Sequence, residues 1–195
     1  NGDYLSKIDD DCLMPFQWAE TLVQAHEDNP KFGIIGCWRF PDEDFRPKIA
    51  NRKIISFNNG HKLMQNCWIE GSGYLMKREC VEKNGILSSD SNFTDYGISL
   101  CLKGYINGWY FPFLYQEHFD DPRSEHSLLR SDEDMLTYAP LSAINNGVVT
   151  VKAWQKQLKR SALLLQKSSC NPRNYIGWRM KAKNIFYRIK RLFGM

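Results

Sequence analysis

With 195 residues, 43% of them hydrophobic, 13% aromatic and 25% charged, the chain has the length and composition of one globular domain with a sizeable core, which excludes a disordered or collagen-like chain. A mean hydropathy of −0.49 and the lack of an uninterrupted apolar run of spanning length exclude an integral membrane protein. The net charge of +4 is uneven: residues 135–195 hold twelve Lys or Arg and no acid, whereas residues 1–134 hold 14 bases and 22 acids, a net of −8, so an acidic body suited to a divalent cation precedes a basic end suited to phosphate-bearing polymers or an anionic membrane surface.

Tyr4-Leu5-Ser6-Lys7-Ile8 alternates apolar and polar residues and runs into Asp9-Asp10-Asp11, which predicts a strand delivering acids at its C-terminal end. Pro15 opens a predicted helix on which Phe16, Ala19, Leu22, Val23 and His26 recur at helical spacing, until Asn29-Pro30 stops it. Residues 33–38 form a short buried-strand candidate. Residues 39–65 read as irregular, broken by Pro41, Pro47 and Asn58-Asn59-Gly60, and a loop of that length usually has a function. Its Arg39, Arg46, Lys48, Arg52 and Lys53 are either solvated loop charge or contacts for an acidic acceptor. Trp38, Phe40, Phe45, Phe57 and Trp68 are either core or faces for sugar rings. A strand is expected around residues 66–70, then Gly71-Ser72-Gly73, then a short helix from about Lys77 with its glycine stop at Asn84-Gly85. Residues 92–103 read as a helix closed by Gly104, and residues 105–111 as a strand. Residues 116–129 are polar and histidine-bearing, Ser131-Asp132-Glu133-Asp134 starts a helix, and the chain from Leu141 onward reads as helical.

This order predicts an α/β domain whose site lies outside the carboxyl ends of its strands. The division in charge places a body over residues 1–134 and a basic helical extension over residues 135–195. Cys12, Cys37, Cys67, Cys80, Cys101 and Cys170 stand singly, without the CxxC pairs of a zinc or redox centre, and read as reduced core thiols in a cytoplasmic protein. In an extended segment Asp9 and Asp11 point to the same side, so they can converge on one Mg²⁺ or Mn²⁺ ion; a solvated acidic turn is the alternative. Walker A, GxGxxG, HExxH and GxSxG motifs are absent.

The segment Lys7-Ile8-Asp9-Asp10-Asp11-Cys12-Leu13-Met14-Pro15 resembles the DxD strand end of the GT-A fold nucleotide-sugar glycosyltransferases, most closely glycosyltransferase family 2. Three more segments follow in that family's order. Gly71-Ser72-Gly73-Tyr74-Leu75-Met76-Lys77-Arg78 resembles the Gly-rich acceptor-side segment, residues 92–105 resemble the segment carrying the catalytic base, and His118 stands where many members supply a histidine to the metal. The resemblance implies an incomplete GT-A-like (Rossmann-related) mixed sheet flanked by helices, the C-terminal part of a longer enzyme whose base- and ribose-binding first half is absent from these residues. It implies a donor-binding turn at Asp9, Asp10 and Asp11, metal ligation of Mn²⁺ or Mg²⁺ by Asp9, Asp11 and His118, acceptor-side contacts at Gly71, Ser72 and Gly73, and Asp95 as general base. Imidazole suits Mn²⁺ better than Mg²⁺. Three positions depart from the family pattern: Thr94 and Gly97 stand where acids are frequent, and Cys101 where arginine is frequent.

The implied activity is metal-dependent, inverting transfer of a sugar from a nucleotide-diphosphate donor to a hydroxyl of a glycan or lipid-linked acceptor. The alternative is a non-catalytic sugar-binding or scaffolding domain of the same fold. At the C-terminal end, Trp178, Ala182, Ile185, Phe186, Ile189, Leu192 and Phe193 fall on one helical face among bases, so residues 174–195 are expected to bind an anionic membrane surface, with the protein peripheral on its cytoplasmic side. No RNP, KH or zinc-knuckle signature accompanies the basic run, and no nucleic-acid partner is expected.

Overall fold

The computed structural model describes residues 2–87, 92–177 and 180, so the tail proposed for membranes lies almost wholly outside the described residues. Strand β1 (Tyr4–Lys7) leads through a turn to the two-residue β2 (Cys12–Leu13), then α1 (Trp18–Asp28) and β3 (Phe32–Gly36). A single turn, α2 (Pro47–Ala50), precedes β4 (Ile54–Ser56), β5 (Lys62–Asn66) and β6 (Tyr74–Lys77). Next come α3 (Arg78–Asn84), α4 (Phe93–Leu102), β7 (Ile106–Phe111) and the two-residue β8 (Glu117–His118), followed by α5 (Asp134–Tyr138), α6 (Leu141–Asn145) and α7 (Val151–Lys167).

Six strands make one mixed sheet in the order β1-β6-β3-β7-β5-β4, and β2 pairs separately with β8. Among the described residues only β3 and β7 pair in parallel, and every other ladder is antiparallel. β1 is therefore an antiparallel edge strand beside β6. Successive residues of a strand face opposite sides, and the core divides accordingly. Ile34, Met64 and Met76 pack on one side with Trp38, Trp109 and Leu100, while their neighbours Ile35, Leu63 and Leu75 pack on the other with Leu22 and Ala25 of α1.

The basic segment's first half belongs to the body. Met135, Ala143, Trp154, Leu158 and Ala162 lie in the same apolar cluster as Trp38 and Trp109. On α7 the buried residues Trp154, Leu158, Ala162 and Gln166 recur every four positions, a stripe that faces the core. Gln166 closes the contact: its Nε2 donates to the Asp44 carbonyl at 2.9 Å and its Oε1 accepts from the Arg46 backbone at 2.7 Å. Among the described residues no helix is long and apolar enough to cross a membrane.

Several predicted elements shift. Phe16 is 88% exposed and precedes α1, because Gln17 at φ 55° turns the chain before the helix begins at Trp18. The expected irregular segment 39–65 contains the β4–β5 hairpin, and the strand expected around 66–70 ends at Asn66. Tyr74–Lys77 forms β6 beside β1 and β3. Lys53 is neither solvated nor at an acceptor surface: it is 4% exposed, and its Nζ donates to the Leu165 carbonyl at 2.6 Å and Ser168 Oγ at 3.1 Å. Burial lowers its pKa to about 8. Cys37, Cys67 and Cys80 are buried free thiols, but Cys170 is exposed and Cys12 lies in a polar cluster.

Candidate metal centre

Strand β1 ends at Lys7, and Asp9–Asp11 belong to the turn that follows it. The short β2–β8 ladder decides what this turn meets. Cys12 stands opposite His118, and the Phe119 backbone N–H donates to the Asp11 carbonyl at 2.8 Å. As a result Asp9, Asp11, Cys12 and His118 each present a ligand atom within 4.8 Å of one another, an arrangement that could hold a metal ion. The expected convergence of Asp9, Asp11 and His118 is present, produced by a turn and the long-range β2–β8 pairing instead of one extended strand. Cys12 is the fourth member, and the absence of CxxC spacing left it without a signal in the sequence.

The cluster is held from behind. Gln116 Nε2 donates to Cys12 Sγ at 2.8 Å and Ser72 Oγ at 3.3 Å, and Ser72 Oγ accepts the Asp9 backbone N–H at 3.0 Å. Gly73, at φ 66°, lies so close to Gln116 that a Cβ there would sit 1.8 Å from Oε1, which explains a glycine at this position. Ser72 and Gly73 therefore support the acidic turn, whereas Gly71 borders open space.

His118 is 6% exposed, and its Nδ1 lies 2.7 Å from Asp120 Oδ1 and 3.3 Å from Asp11 Oδ2. Burial pulls its pKa down, but Asp120 and Cys12 outweigh it and hold the ring at about 9. Asp120 in turn meets Arg39 Nη2 at 2.6 Å, and Trp154 Nε1 of α7 donates to its backbone carbonyl at 2.7 Å. Burial pushes the Asp120 carboxyl up, yet His118 and Arg39 keep it below the usual carboxylate range. Asp120 thus lies against the His118 ring, where an outer carboxylate can help fix the orientation of a ligating imidazole. Asp120 has no sequence signal of its own because it acts through His118.

Asp10, Asp11 and Asp120 line a cleft of about 490 Å³ together with the apolar Phe119, Leu128, Tyr138 and Pro140. His126 borders this cleft but pairs with Glu117 Oε1 at 3.0 Å and stays outside the four-residue cluster.

Asp95 occupies the first turn of α4 and is exposed. Its backbone N–H donates to Asn92 Oδ1 at 2.8 Å, and Asn92 Nδ2 donates back to Asp95 Oδ2 at 2.8 Å. This reciprocal cap satisfies helix-end groups. Among the described residues no hydrogen bond or ion pair joins Asp95 to the acidic turn. The departures nearby have packing causes: a Cβ at Gly97 would approach the Cys67 carbonyl to 2.8 Å, leaving no room for an acid, and Cys101 Sγ sits 3.7 Å from that same carbonyl.

No family model matches the chain, and no curated protein or solved structure matches it either.

Proposed function

We propose that the chain is the metal-binding part of a GT-A-like glycosyltransferase that moves a sugar from a nucleotide-diphosphate donor to a hydroxyl of a glycan or lipid-linked acceptor, with inversion. The observation that carries the reading is the gathering of Asp9, Asp11, Cys12 and His118 ligand atoms within 4.8 Å at the end of β1. An acidic turn serving only solubility gains nothing from a buried histidine and an outer carboxylate aligned on it. Between the two ions, the His118 imidazole favours Mn²⁺ over Mg²⁺, which prefers an all-oxygen shell; the Cys12 thiol beside it suits softer metals and stands outside this ligand set.

In this mechanism Asp9, Asp11 and His118 hold the cation, and Asp120 orients the His118 ring. The bound cation would neutralise the departing diphosphate as the glycosidic bond breaks. Asp95 takes the proton of the acceptor hydroxyl, a poor nucleophile until a base within reach removes it. Its place in the first helical turn favours the ionised carboxylate that this role needs, and accepting from Asn92 leaves carboxylate lone pairs for the substrate. The cleft of about 490 Å³ beside Asp10 and Asp11 offers room for a donor group, and Asp95 is not among its lining residues.

The test is hydrolysis and transfer of nucleotide sugars by the protein in its full length, with Mn²⁺, with Mg²⁺ and with chelator. Turnover that requires Mn²⁺ and disappears in Asp11→Ala is the expected result. The cap between Asp95 and Asn92 favours a second reading, a sugar-binding domain without catalysis. Cation and donor binding without turnover would select it.

A further inference from the structure

Between the metal cleft and α7 the chain leaves large apolar side chains in solvent. Leu136 is 84% exposed and Leu141 76%, and Ile144 and Val149 are exposed as well, while Met135 and Ala143 anchor the segment in the core. Contiguous exposed apolar groups of this kind mark an interaction surface. Beside them, Asn146 at the end of α6 shares a cavity of about 370 Å³ with Lys156, Gln157, Arg160 and Ser161 of α7. This cavity is basic. Lys156 and Arg160 follow Trp154 and Leu158 of the buried stripe by two positions, about 200° around the helix, and so stand on its outer side. Neither makes an ion pair among the described residues, whereas the neighbouring Lys159 pairs with Glu43. Residues 135–177 contribute six Lys or Arg and no Asp or Glu. Asp132, which meets the start of α7, accepts the Val151 backbone N–H at 2.8 Å.

We propose that residues 136–149 and the basic cavity beside them dock on an anionic phospholipid bilayer. Leu136, Leu141, Ile144 and Val149 enter the boundary between headgroups and acyl chains, and Lys156 and Arg160 meet lipid phosphates. Exposed apolar groups alone would suit another protein, and bases alone would suit any polyanion. Side by side they match the two layers of a membrane surface, apolar within and phosphate-bearing at the rim. A nucleic acid would leave the aliphatic side chains uncovered, since strand-binding platforms stack bases on aromatic rings. A second copy of the chain docking face to face would bring Lys156 and Arg160 against their equivalents. The surface is separate in sequence from residues 174–195. Tyr138 and Pro140 also line the metal cleft, so the docking surface reaches the rim of that cleft. If the proposed transfer reaction is correct, docking presents the cleft to an acceptor carried on lipid; this consequence rests on the glycosyltransferase reading, and the docking itself does not.

The experiment places the full chain, without metal or donor, on vesicles of phosphatidylcholine with and without phosphatidylglycerol. Co-sedimentation reads affinity, and hydrogen exchange followed peptide by peptide reads which segment is covered. Two double variants change exposed side chains only: Leu136→Ser with Leu141→Ser, and Lys156→Gln with Arg160→Gln. The unaltered chain is expected to bind the phosphatidylglycerol vesicles with slowed exchange over residues 136–149. Each double variant should weaken binding about tenfold or more and remove that protection. Absence of binding, binding that leaves exchange over residues 136–149 unchanged, or protection that persists in both double variants overturns the proposal. The exchange readout separates this surface from any attachment through residues 174–195. Slowed exchange with inorganic phosphate alone would make the cavity a site for a free anion. Slowed exchange that grows with protein concentration in the absence of lipid would make the face a contact between copies. Either result overturns membrane docking. Metal-dependent turnover without vesicle binding counts against the docking alone, and docking without turnover counts against the glycosyltransferase reading alone.

Discussion

His26 and His118 are both buried, at 0% and 6% exposure, yet their surroundings drive them in opposite directions. His26 sits in the apolar layer under α1, its Nε2 3.1 Å from the Leu75 carbonyl, with Tyr4 and Phe32 rings beside it. Burial lowers its pKa to about 4. His118 is also buried, but the hydrogen-bonding Asp120 and Cys12 outweigh that burial and hold it at about 9. The difference teaches that the residues facing a buried histidine, and not burial itself, decide its charge: Asp120 and Cys12 favour the charged ring of His118, whereas His26 meets no carboxylate among the described residues.

The largest effect that sharpens this contrast separates holding a cation from removing a proton. Asp95→Asn in the full-length protein is expected to lower transfer by about 10²–10⁴-fold while leaving Mn²⁺ binding intact. Rate assays and metal titrations on the same samples check it; unchanged transfer would reduce Asp95 to a helix cap.

The next effect concerns His26 and stability. Its folded pKa is depressed, so as pH falls the unfolded chain takes the proton first. The stabilisation is complete above the ordinary value of 6.5 and is lost between 6.5 and about 4. The loss amounts to about 3 kcal/mol by linkage. Urea unfolding from pH 7.5 to pH 4, compared with His26→Gln, measures it, and parallel profiles for the two proteins would break the comparison. His118 has the opposite sign: without metal its contribution is present below 6.5 and is lost as pH rises through about 9.

A smaller effect is expected for the outer carboxylate. Asp120→Asn keeps the shape but removes the charge facing His118 and Arg39, and Mn²⁺ affinity should fall about 10–100-fold. Calorimetric titration checks it. An unchanged affinity would mean that His118 is oriented by packing alone.

Parts of this arrangement were legible in the sequence for identifiable reasons. Alternation exposed β1, Gly104 marked the end of α4, and Asn84-Gly85 ended α3. The β4–β5 hairpin was hidden because Lys62 and Gln65 dilute its alternation and the preceding breakers read as a continuing loop. β6 was hidden because its four residues follow three small ones. Asp9 and Asp11 stood out by spacing, and His118 only through a family resemblance. Cys12 and Asp120 required three dimensions, since each takes its role from a partner distant in the chain: Cys12 from His118 and Gln116, Asp120 from Arg39.

The central claim is that the turn after β1 and His118 form one cation site. Binding of Mn²⁺, followed by electron paramagnetic resonance at pH 7.5 in the unaltered protein and in Asp11→Ala, His118→Ala and Asp95→Asn, tests it most directly. The account predicts one tightly held ion per chain, retained in Asp95→Asn and lost in both other variants. Equal binding by all four proteins, or none by the unaltered one, would contradict it.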